Sequence, residues 1–145
     1  MPYLFSKIRI FFILIPGLAL ILSCSDREEY IPYVPVFRII YLSDPDYISL
    51  LPVGNSIVLP DEGYGGIIVY HKGEYEFQAF DRACTWEADP GCLAEDQGTL
   101  GLVECSCCGS EYYLILDGMV KKGPASRPLK QYQVSYDGEK LVISN

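Results

Sequence analysis

Five of the six cysteines fall between Cys84 and Cys108, in a part of the chain too broken by turn-forming residues to be helical. The stretch from Asp81 to Thr99 carries Glu87, Asp89, Glu95 and Asp96 together with the breakers Pro90, Gly91 and Gly98, and it reads as one long irregular loop. A loop of that length inside a compact domain is uncommon unless it is functional or cross-linked. Two clusters, Cys84-Thr85-Trp86 and Cys105-Ser106-Cys107-Cys108-Gly109-Ser110, are therefore the fixed points around which any fold must be arranged.

The remainder consists of short β-branched and aromatic runs bounded by Gly, Pro and Asp. Val34 to Leu42, Ser56 to Leu59, Gly66 to His71, Tyr75 to Phe80, Leu100 to Glu104, Tyr112 to Leu116, Gln131 to Tyr136 and Leu141 to Ser144 are expected to be strands. Lys72-Gly73, Asp117-Gly118 and Asp137-Gly138 have the residues that tight hairpins require. One helical connector is expected at Asp44 to Leu51, with Ser43 as its N-cap and Pro45 in its first turn. The expected class is all-β.

Residues 1 to 23 read as a signal peptide. Lys7 and Arg9 form a basic start, Ile10 to Leu22 an apolar stretch too short to span a bilayer, and Ser23-Cys24 a small-residue cleavage site. Ile21-Leu22-Ser23-Cys24 resembles a bacterial lipobox, which implies cleavage before Cys24 and a diacylglycerol on its sulfur. Buried lipid methylenes would then anchor the chain at about 0.8 kcal/mol each. Residues 24 to 33 form an expected tether. Its Ser25-Asp26-Arg27-Glu28-Glu29 resembles the surface-export tether of lipoproteins from Bacteroidetes-type bacteria, while a plain solvated linker is the alternative. The implied location is the bacterial cell envelope, on the outer membrane and facing either side of it.

Cleavage would remove Lys7 and Arg9 and no acid, so the net charge of −8 becomes −10. Such a surface repels polyphosphate, so nucleic acid is not an expected partner. Removing 23 of 145 residues leaves 122, enough for a single domain over residues 34 to 145.

Ala79-Phe80-Asp81-Arg82-Ala83-Cys84, then Cys105 to Ser110, Asp117-Gly118, Gly123-Pro124-Ala125 and Pro128-Leu129 with Tyr132, resemble the Rieske iron-sulfur family in order and content. The resemblance implies a small antiparallel β-sandwich of Rieske type with two cysteine-bearing loops at one end. In that family two thiolates hold one iron and two imidazoles the other, which raises the potential above that of an all-cysteine cluster. Cys84 and Cys105 match the two cysteine ligands, whereas Trp86 and Cys108 occupy the histidine positions. Indole is a donor only and offers a metal no usable lone pair. Cys92 and Cys107 resemble the disulfide that ties the two loops in some members.

Three fates are open to Cys84, Cys92, Cys105, Cys107 and Cys108. Export places them in an oxidising compartment, which favours a cofactor-free domain stapled by a disulfide between Cys84 or Cys92 and Cys105, Cys107 or Cys108. The alternatives are a zinc ion, for which Cys105-x-x-Cys108 has a suitable spacing, and a 2Fe-2S cluster. Either would use Cys84, Cys105 and Cys108, with Cys92 or Cys107 as a further thiolate. Cys107 and Cys108 are expected to face opposite ways.

Other constellations suggest no chemistry. His71 is the single histidine and is expected at an exposed strand end. Ser110 lacks a nucleophile elbow, and Glu104 and Glu111 should keep Cys108 a neutral thiol. Gly63, Gly65 and Gly66 read as a turn, and the tyrosines as cross-strand packing. The expected function is a membrane-anchored, degenerate Rieske-like lipoprotein with a structural or binding role for a protein or small molecule that the sequence does not name; the alternative is an electron carrier using a cysteine-bound cluster or zinc.

Overall fold

The computed structural model describes residues 30–99 and 101–145. The signal peptide, Cys24 and the acid-rich part of the tether lie outside the described residues. Among the described residues, ten strands form two antiparallel sheets. In chain order they are β1 (Phe37–Tyr41), β2 (Ser56–Leu59), β3 (Ile67–Gly73), β4 (Glu76–Asp81), β5 (Ala94–Asp96), β6 (Leu102–Cys105), β7 (Glu111–Tyr113), β8 (Met119–Lys122), β9 (Gln131–Tyr136) and β10 (Lys140–Ser144). The larger sheet has the order β1-β10-β9-β4-β3-β2, and the smaller β5-β6-β7-β8.

β3 explains how the two sheets share one molecule. Its run Ile67-Ile68-Val69-Tyr70 is buried on both faces, and the period of two sends alternate side chains into different cores. Ile67 and Val69 join Ile40, Leu50, Leu59, Phe77, Ala79, Tyr132, Leu141 and Ile143 inside the curl of the larger sheet. Ile68 and Tyr70 face the smaller sheet with Phe80, Val103, Tyr112, Leu114 and Leu129. Cys84 and Cys105 belong to this second core, so the cysteine loops are continuous with packed structure.

The strands follow the expected pattern with local departures. The helical connector is a 3-10 turn over Pro45–Leu50, and its cap is Asp44 rather than Ser43: the Asp44 carboxylate accepts from the Asp46 N–H at 3.1 Å. Tyr112 to Leu116 splits into β7 and a 3-10 turn at Leu114–Leu116. The β3–β4 reversal lies at Glu74-Tyr75, because β3 runs on through Lys72-Gly73 with an irregular register. β5 and β8 were not expected. β5 lies in the stretch read as loop, and its Ala94 pairs with Cys105. Tyr30 donates to the Pro128 carbonyl and Ile31 is buried, so the end of the expected tether packs on the domain. His71 is also buried, not exposed: its Nδ1 lies 3.0 Å from the Leu50 carbonyl and its ring stacks on Phe77.

Candidate metal centre

The first cysteine loop leaves β4 at Asp81, whose carboxylate is fully buried. It accepts from the N–H groups of Tyr64, Gly65 and Ala83 at 2.7, 3.0 and 2.9 Å and from the Tyr132 hydroxyl at 2.7 Å. A buried carboxylate so fully satisfied fixes the backbone around it. The Gly63 to Gly66 turn thus serves as a brace for the loop entry. At Gly65 a β-carbon would meet the Ala83 nitrogen at 2.7 Å, so only glycine permits this approach.

Beyond the brace, Ala83 bridges Leu93, and the Cys84 N–H donates to the Cys92 carbonyl at 2.8 Å. Residues between them bulge outward from a pinched base. The second loop turns between Cys105 and Ser110, where Gly109 adopts a φ of 67° that other residues rarely take. Its Ser106 N–H donates to the Leu93 carbonyl at 2.9 Å, and a disulfide joins Cys92 to Cys107. Hydrogen bonds and a covalent staple together hold the loops face to face.

Cys84, Cys105 and Cys108 remain thiols, and their sulfurs all lie within 4.8 Å of one another. Cys84 Sγ and Cys108 Sγ are 3.3 Å apart. Cys84 and Cys105 are buried, while Cys108 is partly exposed. Neighbouring Cys107 and Cys108 serve different partners, the one in the disulfide and the other in the thiol group.

Hydroxyl groups surround the sulfurs. Ser110 Oγ accepts from the Ala125 N–H at 2.9 Å and lies 3.0 Å from Cys108 Sγ. An oxygen that accepts from the backbone keeps its own proton for the sulfur. Tyr112 lies 3.7 Å from Cys84 Sγ and 3.0 Å from Thr85 Oγ1. The Thr85 hydroxyl donates to the Arg127 carbonyl at 2.7 Å, which leaves its oxygen to accept the Tyr112 proton. The segment around Gly123-Pro124-Ala125 thereby forms a third wall.

These surroundings divide the thiols. Burial, assisted by a hydrogen bond with Cys84, pushes the Cys105 thiol up to about 12. At Cys108 burial acts in the same direction but is outweighed by hydrogen bonds from Ser110, Cys84 and Cys105, and the thiol is lowered. The expected neutralising influence of Glu104 and Glu111 is not what the structure gives. Lys121 and Lys122 hold the Glu111 carboxylate at 2.5 and 3.2 Å and take up its charge. Burial raises the Tyr112 phenol, keeping it a donor.

The remaining sequence-derived candidates lie apart from this group. Trp86 is 53% exposed and contributes no metal-binding atom. Cys92 and Cys107 are spent in the disulfide. Cys24 lies outside the described residues. Ser110 and Tyr112 beside the sulfurs, and Thr85 behind Tyr112, carry no motif that marks them in the sequence. Ser110 and Tyr112 are two residues apart beside β7, so extended backbone sends both to one face.

A nitrogen-ligated di-iron cluster does not fit these residues. It needs four protein ligands, two of them imidazoles, whereas three thiols converge here. A single ion fits better: tetrahedral zinc at about 2.3 Å from sulfur would separate its sulfurs by about 3.8 Å, between the 3.3 Å of Cys84–Cys108 and the 4.8 Å that bounds the group, and three thiolates would leave a fourth position open.

No family model matches the chain. Over 78 residues it is 35% identical to the cytochrome b6-f complex iron-sulfur subunit of Chlorobaculum tepidum, a match covering 54% of this chain and 39% of that protein. The match thus spans about two fifths of the relative's length. Among solved structures, the cyanobacterial plasma membrane Rieske protein from Synechocystis PCC 6803 superposes with a TM-score of 0.52 at 24% identity, covering 78% of this chain and all of that one. A chain from the complex of reduced oxygenase and oxidized ferredoxin in carbazole 1,9a-dioxygenase gives 0.50 at 22% identity, covering 77% of this chain and all of its own. The expected all-β architecture of Rieske type is the one observed.

Proposed function

We propose, from the premise that this chain carries a Rieske-type domain, that its cluster pocket serves as a three-thiolate centre for a thiophilic metal ion. The observation carrying this reading is the convergence of Cys84, Cys105 and Cys108 within 4.8 Å while Cys92 and Cys107 supply the staple. The convergent thiols and the iron-sulfur relative weigh against a cofactor-free domain. Cys84 and Cys105 would bind from the packed core and Cys108 from the rim, with Ser110 donating to the rim sulfur. The ion would contribute Lewis acidity and cross-link the two loops. In the same reading the domain is tethered to the envelope through a lipid on Cys24.

A second reading, electron transfer, draws on the iron-sulfur subunit that shares 35% identity over 78 residues. It would require an all-sulfur cluster completed by a ligand from outside this set, with a lower potential than a nitrogen-ligated centre.

Titration of the metal-stripped full chain with cobalt(II) under anaerobic conditions tests the proposal. One equivalent should produce thiolate-to-cobalt charge-transfer absorption, and Cys84→Ser, Cys105→Ser and Cys108→Ser should each weaken it strongly. Absence of uptake by a chain in which Cys84, Cys105 and Cys108 are all free thiols rejects the proposal. Iron-sulfur absorbance in anaerobically purified protein would favour electron transfer instead. Incorporation of labelled palmitate that disappears in Cys24→Ser tests the anchor, and protease shaving of intact cells tests exposure at the surface.

A further inference from the structure

We infer that Cys84 and Cys108 are an exchangeable dithiol pair that reduces disulfides by forming a second disulfide across the two loops. This activity goes beyond metal binding and does not depend on it.

The two sulfurs stand 3.3 Å apart, and a disulfide bond is about 2.05 Å long. Closing the bond requires an approach of little more than 1 Å. The loops need not search for that arrangement, because the Cys92–Cys107 disulfide and the Ser106–Leu93 hydrogen bonds already hold them opposed. Cys105 is the third thiol of the group, but it is buried at the foot of the second loop and pairs through β6 with Ala94. Cys108 alone among the three is open to solvent. Exposure therefore assigns the roles: Cys108 meets the incoming disulfide and Cys84 resolves it.

The Cys108 sulfur, having given its proton to solvent, attacks one sulfur of a disulfide, whose sulfur–sulfur bond breaks. One half leaves as a thiolate and takes up a proton, while the other half remains bound to Cys108. Cys84 then loses its proton and attacks Cys108 Sγ, releasing the second half as a thiol. Two protein thiols have been oxidised by two electrons, and one disulfide has been reduced to two thiols. The disulfide is the oxidant, and such groups persist in an oxidising compartment of the kind that the expected signal peptide implies.

The test uses the full chain with its native disulfide intact, metal-free, exposed separately to oxidised glutathione and to insulin. Alkylated after acid quench and denaturation, the thiols among the described cysteines should fall from three to one, on Cys105, with a Cys84–Cys108 cross-linked peptide in the digest. Cys84→Ser should trap glutathione on Cys108, whereas Cys108→Ser should trap none. Circular dichroism and retention of the Cys92–Cys107 peptide establish that each variant is folded. Reaction with glutathione alone assigns a small-molecule source, and reaction with insulin alone a protein source. Three persistent thiols with both reagents, or a cross-link that uses Cys105, overturns the inference. Cobalt uptake by the reduced chain is read separately, so failure here leaves the metal result standing.

Discussion

The hydroxyl of Ser110 stands 3.0 Å from the sulfur of Cys108 while accepting from the Ala125 N–H on its other side. One small side chain thus links the rim sulfur to the Gly123-Pro124-Ala125 wall. Ser110→Ala should strand a buried N–H at a cost of about 1–3 kcal/mol. It should also slow alkylation of Cys108, which loses the donor that stabilises its thiolate. Denaturant midpoints and iodoacetamide rates on the same preparation check both effects.

The staple and the thiols are separate devices. Cys92 and Cys107 enclose a loop with a sequence separation of 15 residues, and removing such a cross-link costs about 3 kcal/mol by chain entropy. Cys92→Ser/Cys107→Ser should therefore lower the thermal midpoint while leaving Cys84, Cys105 and Cys108 all countable by alkylation after denaturation. Retention of the wild-type midpoint would show that the hydrogen bonds between the loops suffice.

Alkylation of the reduced, metal-free centre should be ordered by environment. A thiol with a lowered pKa reaches its reactive thiolate at lower pH, and one raised to about 12 remains protonated through neutral and mildly alkaline conditions. Cys108 should therefore label first, and Cys105 should resist until pH approaches 12 or the chain unfolds. Peptide mapping after timed labelling at pH 7 and pH 9 gives the order. Earlier labelling of Cys105 contradicts this assignment.

Asp81 meets four donors and no acceptor. Asp81→Asn would turn one oxygen into an NH2 group facing those donors and should cost about 3 kcal/mol, the upper range for hydrogen bonds to a charged group. The damage should extend to the thiols, since Ala83 precedes Cys84. Chemical denaturation, with cobalt titration of the folded fraction, measures both.

Legibility in the sequence followed how local each determinant is. Ser56–Leu59 and Gln131–Tyr136 have the expected ends because their composition and flanking turns agree. β5 is three residues long and acidic, and it becomes a strand only because Ala94, Glu95 and Asp96 find β6 across the loop. His71 misled because polarity suggested exposure, whereas a carbonyl from Leu50 and the face of Phe77 accommodate it inside. At the site, chemistry identified the indole as unable to replace imidazole. The resemblance also singled out Cys84, Cys105 and Cys108, which the structure brings together, whereas the hydroxyls around them depended on the packing of loops distant in sequence. The charge on Glu111 appeared decisive from its proximity to Cys108, but two lysines from β8 engage it.

The central claim is that protein sulfur alone holds whatever metal occupies this pocket. Electron paramagnetic resonance with nitrogen-hyperfine detection tests it most directly, using Trp86→His/Cys108→His loaded with iron and sulfide as the positive reference. Trp86 is exposed and its replacement leaves the core intact. The account predicts no imidazole nitrogen coupling in the natively purified wild-type protein, and coupling only where both histidines have been introduced. A nitrogen-coordinated pair of irons in the wild-type protein would contradict it.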